Sequence, residues 1–324
     1  MSAAMSADTA PNAVRPVAPP PPPPPRAWAR RRRGLLPYGL LLPAVAVLVA
    51  VLGYPLVRLL GLSVREYGLP QQFGQPADFV GLDNYARILQ DPQFWAVCVR
   101  TIVFCAVNVA LTMVFGMLIA LLIGRLGRTL RILVLAALLL AWAMPPLSST
   151  IVWQWLFDTQ FGLVNWLLTR LGGDWTGHSW LSNQLSFLTV ATIVVTWMGV
   201  PFVAFTLYGG LTQVPRDVTE AAEIDGASSA QRFRHIIVPF LKPLLLILTS
   251  LSVLWDFRVF TQIYVLQRAG GITRETDVLG VYAYRTAVGA NRFDTGAAIA
   301  VVMVVITLLL TAVYLRQMAR QEDL

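Results

Sequence analysis

Charged side chains are rare in this chain, so those that interrupt its apolar segments are the first candidates for chemistry. Of the 324 residues, 13% are charged and 56% are hydrophobic. Asp256 and Arg258 interrupt an otherwise uncharged segment near residues 240–266. On a continuous helix these two side chains would point about 200° apart. We therefore expect one of them to line a cavity and the other to find a partner elsewhere.

A charge at the centre of a membrane helix costs about 2.5 to 3.5 kcal/mol, so Asp256 and Arg258 need a partner or a function. Two interpretations are open. One is a structural ion pair with another helix or subunit, and the other is a polar wall that binds a hydroxylated ligand beside aromatic rings. The segment 197–202 is a second candidate, since Pro201 interrupts helical hydrogen bonding. Asn108 and Gln154 are lesser candidates for this site, since an amide within a helix bundle more often hydrogen-bonds to another helix.

Motifs for catalysis are missing from the sequence. A phosphate-binding Walker loop needs Gly-Lys, but the only lysine, Lys242, follows Leu241. The segment 226–230 falls one residue short of a nucleophile elbow, and no zinc-protease motif occurs. Cys98 and Cys105 would lie roughly 10 Å apart along a helix, which excludes a disulfide between them. We predict neither a metal site nor an enzyme in this chain alone.

Six long uncharged windows must position these residues. Mean hydropathy is +0.63, and windows of about 20 residues or more span a bilayer as helices. The windows are 34–57, 101–124, 132–157, about 185–211, about 240–266 and 296–315. The predicted fold is therefore all-α, a polytopic membrane domain over residues 34–324. Residues 1–33 are rich in proline and arginine, which predicts a disordered tail.

The basic residues indicate the orientation of the six spans. An even number of spans places both termini on one side, and the net charge is +8. Lysine and arginine are concentrated in the tail, near residues 124–131 and 212–242, and at the C-terminal end. Basic residues are retained on the cytoplasmic side, so both termini are expected there. The same pattern argues against nucleic acid as a partner and predicts a multi-pass plasma-membrane protein in contact with lipid.

The loop at about residues 212–239 carries charges of both signs. Pro215 suits a helix start, and Gly226 can supply the positive φ that ends a helix. Pro239 is expected to end a second helix. Glu220 is left to meet a cation, although a solvated connecting loop would look similar in composition.

The spacing in this loop resembles a known motif. Glu220-Ala-Ala, three residues, Gly226, nine residues and Ile236-x-Val238-Pro239 resemble the EAA loop of ATP-binding-cassette importer permeases, which usually has leucine at the Val238 position. Four further segments resemble carbohydrate-uptake permeases of the maltose and glycerol-phosphate type, in particular the first of their two permease subunits: 54–56, 79–85, 91–95 and 153–165. The resemblance extends over residues 34–324.

The resemblance implies a type I importer permease fold with six transmembrane helices. It also implies an ATPase-coupling helix that docks into a cleft of the ATPase subunit, at Glu220, Ala221, Ala222 and Gly226. The implied sugar-binding residues are Trp197, Met198, Gly199, Phe202, Ser252, Trp255, Asp256 and Val259. The family often has asparagine where Asp256 stands.

The implied partners are a second homologous permease, two copies of an ATPase subunit and an extracytoplasmic sugar-binding protein or lipoprotein. No cofactor is expected on this chain, because ATP and magnesium belong to the ATPase subunits. The expected substrate is an oligosaccharide, such as the disaccharides trehalose or maltose, and the chain most resembles trehalose importer permeases of actinobacteria. The alternative is an ion-coupled secondary transporter, in which Asp256 would carry the proton.

Overall fold

The architecture is a set of long membrane-crossing helices. The structure is a computed structural model that describes residues 40–322, so the tail 1–33 and the start of the first predicted window lie outside the described residues. Within that range five helices are long and apolar enough to cross a membrane, and a bent helix pair brings the number to six when it is counted as one span. We number them in chain order as spans 1, 2, 4, 5 and 6 (Leu40–Ser63, Pro92–Arg125, Gln184–Leu211, Ser229–Arg268 and Phe293–Ala319), with the pair Arg128–Trp142 and Pro146–Leu156 as span 3.

Short helices connect the spans. They are Leu69–Gln72, Asp83–Gln90, Leu163–Arg170, Arg216–Ile224, Thr273–Thr276 and Leu279–Tyr284. Apart from the isolated bridge between Arg65 and Phe79, residues 40–322 contain no β-structure, which confirms the all-α prediction. A first compact unit ends at Leu56 and a second begins at Val57. The core and every cavity described below belong to the second unit.

Spans 2 and 4 form the centre of the core because small residues let their backbones approach closely. A Cβ on Gly116 would lie 2.5 Å from Cγ1 of Val203. Thr196 also donates a hydrogen bond to the Asn108 side chain across the two spans, at 3.3 Å. The interpretation of Asn108 as an interhelical residue is thereby confirmed.

Span 3 differs from the single helix expected over 132–157. Its two halves are bent by 100° at residues 143–145. Pro145 has an extended backbone with ψ of 139°, and Pro146 begins the second half. Proline disfavours a helical conformation in the residue before it, so the Pro145-Pro146 pair stops the helix and restarts it in another direction.

Span 5 is also broken, but not at Pro239, where the sequence predicted the end of a helix. Residues 229–257 are helical through Pro239, with a π-helical turn at Phe233–Ile237 directly before it. This wider turn fits a residue that has no N–H to donate, so the expectation that Pro239 ends the helix was wrong. The helix ends instead at Phe257, and a short helix follows at Thr261–Arg268.

The broken parts of spans 3 and 5 meet, since the helix Thr261–Arg268 packs against Pro146–Leu156. A polar cluster fixes the far end of Thr261–Arg268. Arg285 donates hydrogen bonds to Asp277 at 2.9 Å and to Gln267 at 2.7 Å. The two helix breaks are thus held side by side.

Candidate functional site

A cavity of about 610 Å³ lies where spans 3 and 5 break, and we call it the membrane cavity. Helix breaks expose backbone groups that a continuous helix would satisfy, and such breaks in membrane proteins are tolerated beside cavities. Spans 3 and 4 and the end of span 5 form its walls. Its lining residues are Ala141, Trp142, Met144, Pro146, Val195, Met198, Gly199, Trp255, Asp256, Arg258, Val259, Phe260, Thr261 and Gln262.

The structure brings five of the eight predicted sugar-site residues to this cavity: Met198, Gly199, Trp255, Asp256 and Val259. Phe202 lies behind the wall, with its ring stacked on Trp142 at 5.9 Å and 5.2 Å from the ring of Trp255. The sugar-binding roles of these residues remain predictions.

Two of the eight residues lie elsewhere. Ser252 is buried in span 5 and is not part of the lining of the membrane cavity. Trp197 faces a separate, mostly apolar cavity of about 440 Å³ that is lined by spans 2, 3 and 4. There its ring lies 5.8 Å from that of Trp153. Met198 and Trp197 are neighbours on a helix and therefore point in different directions.

Asp256 and Arg258 both line the membrane cavity, so the expectation that only one of them would do so was wrong. The expected 200° separation holds only on a continuous helix. Arg258 is the first residue beyond the helix end, with φ of −99° and ψ of 13°, and its side chain turns back so that Nε donates to the carbonyl of Leu254 at 3.0 Å. No ion pair involves Asp256 within the described part of the chain.

This lining can bind an uncharged polar molecule that has apolar faces. The Asp256 carboxylate accepts hydrogen bonds, and the guanidinium of Arg258 donates them. Gln262 does both, and its Nε2 lies 3.4 Å from the sulfur of Met198. The rings of Trp142 and Trp255 provide flat apolar surfaces. Trp142 was not predicted as a site residue, because a tryptophan near a span end is typical of the interfacial aromatic belt.

The loop 212–239 forms a helix, a turn and a second helix, as predicted for its first part. Arg216–Ile224 is the first helix, and Gly226 follows it with φ of +83°. Ser228 caps the second helix, where its hydroxyl accepts from the N–H of Gln231. Ion pairing between Glu223 and Arg232 closes the turn. The loop is therefore a preformed structure rather than an irregular connection.

The exposed face of this loop is available to a partner. Glu220 and Ala221 are exposed, and Ile224 is 87% exposed. Glu220 has no ion-pair partner among residues 40–322. An exposed large aliphatic side chain beside an unpaired carboxylate is typical of a surface that another protein covers.

Comparison with known proteins decides the family. The family model described as the inner membrane component of binding-protein-dependent transport systems matches residues 113–322. The chain belongs to this family. It is 46% identical over 300 residues to the diacetylchitobiose uptake system permease protein DasB of Streptomyces coelicolor, covering 92% of this chain and 91% of that protein. It is 32% identical over 287 residues to the trehalose/maltose transport system permease protein of Thermococcus litoralis, covering 88% of this chain and 94% of that protein.

The solved structures show the same fold. A permease chain from a bacterial importer of the acidic polysaccharide alginate aligns with a TM-score of 0.73 and 22% identity, covering 90% of this chain and 99% of that one. A chain of a bacterial alginate transporter, solved in complex with an alginate pentasaccharide-bound periplasmic protein, aligns with a TM-score of 0.74 and 21% identity. That alignment covers 90% of this chain and 96% of the other. The type I importer fold is thereby confirmed.

This permease is a sugar importer subunit of an ATP-binding-cassette system, and it is not an enzyme by itself. It is a multi-pass inner-membrane component of a binding-protein-dependent system. The alternative of an ion-coupled secondary transporter finds no support among its relatives.

Proposed function

We propose that this permease carries a disaccharide with N-acetylated rings, of the diacetylchitobiose class, across the membrane. The observation that supports it is the membrane cavity, which places Asp256, Arg258 and Gln262 beside aromatic walls. The substrate named for the relative at 46% identity favours this class over trehalose and maltose, which are named for the relative at 32%.

The chemistry of an acetamido group suits these side chains. Its N–H needs an acceptor, which the Asp256 carboxylate supplies, and its carbonyl needs a donor, which Arg258 supplies. Its methyl group and the C–H face of the pyranose ring pack against the rings of Trp142 and Trp255. One planar amide can satisfy both the carboxylate and the guanidinium, since its donor and acceptor lie on opposite sides. Hydroxyl groups of trehalose and maltose also donate and accept, so the preference for an acetamido sugar rests on the relative at 46% identity.

The partners proposed for this permease are a second homologous permease, two ATPase subunits and an extracytoplasmic sugar-binding protein. ATP and magnesium would bind to the ATPase subunits, and both termini of this chain would be cytoplasmic. The helix Arg216–Ile224 would dock into the ATPase through Glu220 and the alanines Ala221 and Ala222. Closure of the ATPase dimer would move this helix and switch the cavity from inward-facing to outward-facing. ATP can drive that switch because it binds the closed state more tightly.

The test is ATP-driven uptake by the complete complex, purified from its native membrane and placed in proteoliposomes with its binding protein. Radiolabelled diacetylchitobiose should accumulate, and a tenfold excess of trehalose or maltose should compete weakly. Uptake of labelled trehalose or maltose with no accumulation of diacetylchitobiose would overturn the proposed substrate class. Accumulation driven by a proton gradient without ATP would overturn the proposed mechanism.

A further inference from the structure

Three cavities border the helix Pro146–Leu156. The membrane cavity begins at the first residue of this helix. A second cavity of about 400 Å³, the middle cavity, is lined by Leu147, Ile151 and Gln154. A third of about 520 Å³, the outer cavity, includes Trp155. The four side chains that line the middle and outer cavities fall within roughly 100° of arc, whereas Pro146 of the membrane cavity lies outside this arc. The helix is roughly 16 Å long. The cavities therefore follow one another along the length of the helix, from its first residue to the loop that follows span 3.

The membrane cavity and the middle cavity share a wall. Phe260 and Thr261 line both the membrane cavity and the middle cavity. The ring of Tyr264 stacks on Phe260 at 5.3 Å in the middle cavity, and the guanidinium of Arg268 lies 5.8 Å from the Tyr264 ring. Gln154 adds an amide to this wall. The middle cavity thus offers aromatic rings and polar groups between the outer cavity and the membrane cavity.

The outer cavity combines flat aromatic surfaces with hydrogen-bonding groups. Trp155 and Trp166 are 58% and 56% exposed, and the guanidinium of Arg170 lies 5.4 Å from the Trp166 ring. Gln160 contributes an amide to the lining. Hydroxyl groups come from Thr159, Thr169 and Thr176. An aromatic belt at the membrane surface also exposes tryptophans, but it does not gather an amide, a guanidinium and hydroxyls around them.

The outer cavity is also built rigidly. Asn165 is buried, donates to the carbonyls of His178 at 2.8 Å and Thr159 at 3.2 Å, and accepts from the indole N–H of Trp180 at 2.6 Å. The Trp180 ring stacks on Trp175 at 5.3 Å with an interplanar angle of 7°. A preformed site loses little conformational entropy when it binds a ligand.

We propose that the outer cavity is a receiving site for the sugar, where a pyranose ring stacks on Trp155 or Trp166 before it moves along Pro146–Leu156 to the membrane cavity. Its polar groups bind ring hydroxyls or an acetamido group. Span 4 separates the loop 157–183 from the loop 212–239, so the receiving site lies on the membrane side opposite to the proposed ATPase contact. This inference rests on the proposed function, since it takes the same sugar class.

Photolabelling of the complete complex in lipid nanodiscs tests the receiving site. The probe is a diazirine derivative of diacetylchitobiose, and labelled peptides are identified by mass spectrometry. In the wild-type complex we expect label within residues 155–177 that excess diacetylchitobiose displaces. Label confined to peptides of the membrane cavity would overturn the receiving site and leave the proposed function standing. No displaceable label anywhere on this chain would overturn the proposed function, and the receiving site with it.

A matched pair of variants separates a sugar site from an aromatic belt. Trp166→Ala should reduce label within 155–177 at least fivefold, and Trp166→Phe should restore most of it because a phenyl ring also stacks on sugars. Trp95→Ala is the control, since Trp95 is 53% exposed at the start of span 2 on the same membrane side and lines none of the three cavities. Equal losses in Trp166→Ala and Trp95→Ala would overturn the proposal. The melting temperature of each complex monitors folding.

Discussion

At the scale of single residues, Asp256 combines burial in a membrane with the absence of a fixed partner. Among residues 40–322 it forms no ion pair, yet it lines the membrane cavity with Arg258. A carboxylate in that position is costly for the protein alone and becomes useful when a ligand donates hydrogen bonds to it. Within the described residues Asp256 is not part of an ion pair, and we propose that it binds the ligand.

Replacement of Asp256 should therefore impair transport more than stability. Asp256→Asn keeps the size of the side chain and one acceptor oxygen but loses the charge, and a hydrogen bond to a charged group contributes about 1.5 to 3 kcal/mol. We expect the initial rate of ATP-driven diacetylchitobiose uptake, measured at limiting sugar, to fall about tenfold or more. The melting temperature of the complex should stay within about a degree of wild type. A wild-type uptake rate in Asp256→Asn would remove this residue from the site.

Asp158 provides a second residue-scale prediction, outside the membrane spans. Its side chain accepts hydrogen bonds from the backbone N–H groups of Gln160 and Phe161, each at 2.8 Å, and these bonds lower the pKa of the carboxyl. A lowered pKa means that the stabilisation is present above the ordinary value near 4 and is lost as the pH falls through the lower folded-state value. The turn at the edge of the outer cavity should therefore be intact at neutral pH.

Hydrogen–deuterium exchange can measure that turn. Asp158→Ala should speed exchange of the amides of Gln160 and Phe161 several-fold at pH 7, because the acceptor that protects them is gone. In the wild-type protein, corrected for intrinsic exchange, the same protection should persist to about pH 4 and fall below it. Asp174→Ala in the same loop is the control, because the amides of Gln160 and Phe161 donate to Asp158 and not to Asp174. Unchanged protection in Asp158→Ala would refute the role of this carboxylate.

At the scale of helices, close approach of spans 2 and 4 organises the core. A Cβ added at Gly116 would lie 2.5 Å from Cγ1 and 2.8 Å from Cβ of Val203, which a real side chain cannot tolerate. Gly124, two turns further along the same span, has open space around it. Packing in membranes relies on such small residues, since apolar burial does not by itself drive helices together in lipid.

The two glycines therefore make a matched test. Gly116→Ala should destabilise the protein by about 1 to 3 kcal/mol through overpacking, seen as a lower melting temperature in detergent by fluorescence-detected size exclusion. Gly124→Ala should leave the melting temperature unchanged or slightly raised, since alanine favours helix. If both variants melt alike, the close contact between spans 2 and 4 is not what stabilises the core.

The helices also show what a sequence can and cannot predict. Hydropathy located all six spans because each needs about 20 apolar residues, whatever its shape. The bend in span 3 was predictable from Pro145-Pro146, but a hydropathy window does not register it. The break after Phe257 was not predictable, because residues 258–260 are Arg-Val-Phe and contain neither proline nor glycine. That break depends on packing of Thr261–Arg268 against span 3, a contact that local sequence does not encode.

The candidate site, too, was only partly predictable from local sequence. Five of its predicted residues reach one cavity because they lie on two segments that the family resemblance located. Asp256 and Arg258 share that cavity only because the helix ends between them. In the loop 212–239, Gly226 adopts the predicted positive φ. The helix continues through Pro239, however, because a π-helical turn precedes it. Local backbone constraints were predictable, and long-range contacts were not.

At the scale of the whole molecule, the membrane cavity and the loop 212–239 need a mechanical link. Residues 229–257 are helical from the capped turn at Ser228 to the wall of the membrane cavity. We expect a displacement of Arg216–Ile224 to pass through the turn at residues 225–228 and then along one helix to Asp256. Transport would then depend on tight binding of the ATPase to this loop. We expect Glu220 to contribute to this binding, since it is exposed and has no ion-pair partner among residues 40–322.

Glu220→Ala should uncouple the ATPase from the membrane cavity. An exposed ion pair contributes only about 0.2 to 1 kcal/mol, but truncation of a desolvated charge at an interface costs about 2 to 5 kcal/mol. We expect the ATPase recovered with the affinity-purified permease, quantified by mass spectrometry, to fall several-fold, or sugar uptake to fall at least tenfold while hydrolysis continues. Asp217→Ala is the matched control, because Asp217 is also exposed on the same short helix and its loss weakens only the helix start, by about 0.3 to 1 kcal/mol. Normal uptake and normal recovery of the ATPase in Glu220→Ala would contradict the coupling role. Equal defects in Glu220→Ala and Asp217→Ala would mean that the ATPase requires the folding of this helix rather than the Glu220 carboxylate.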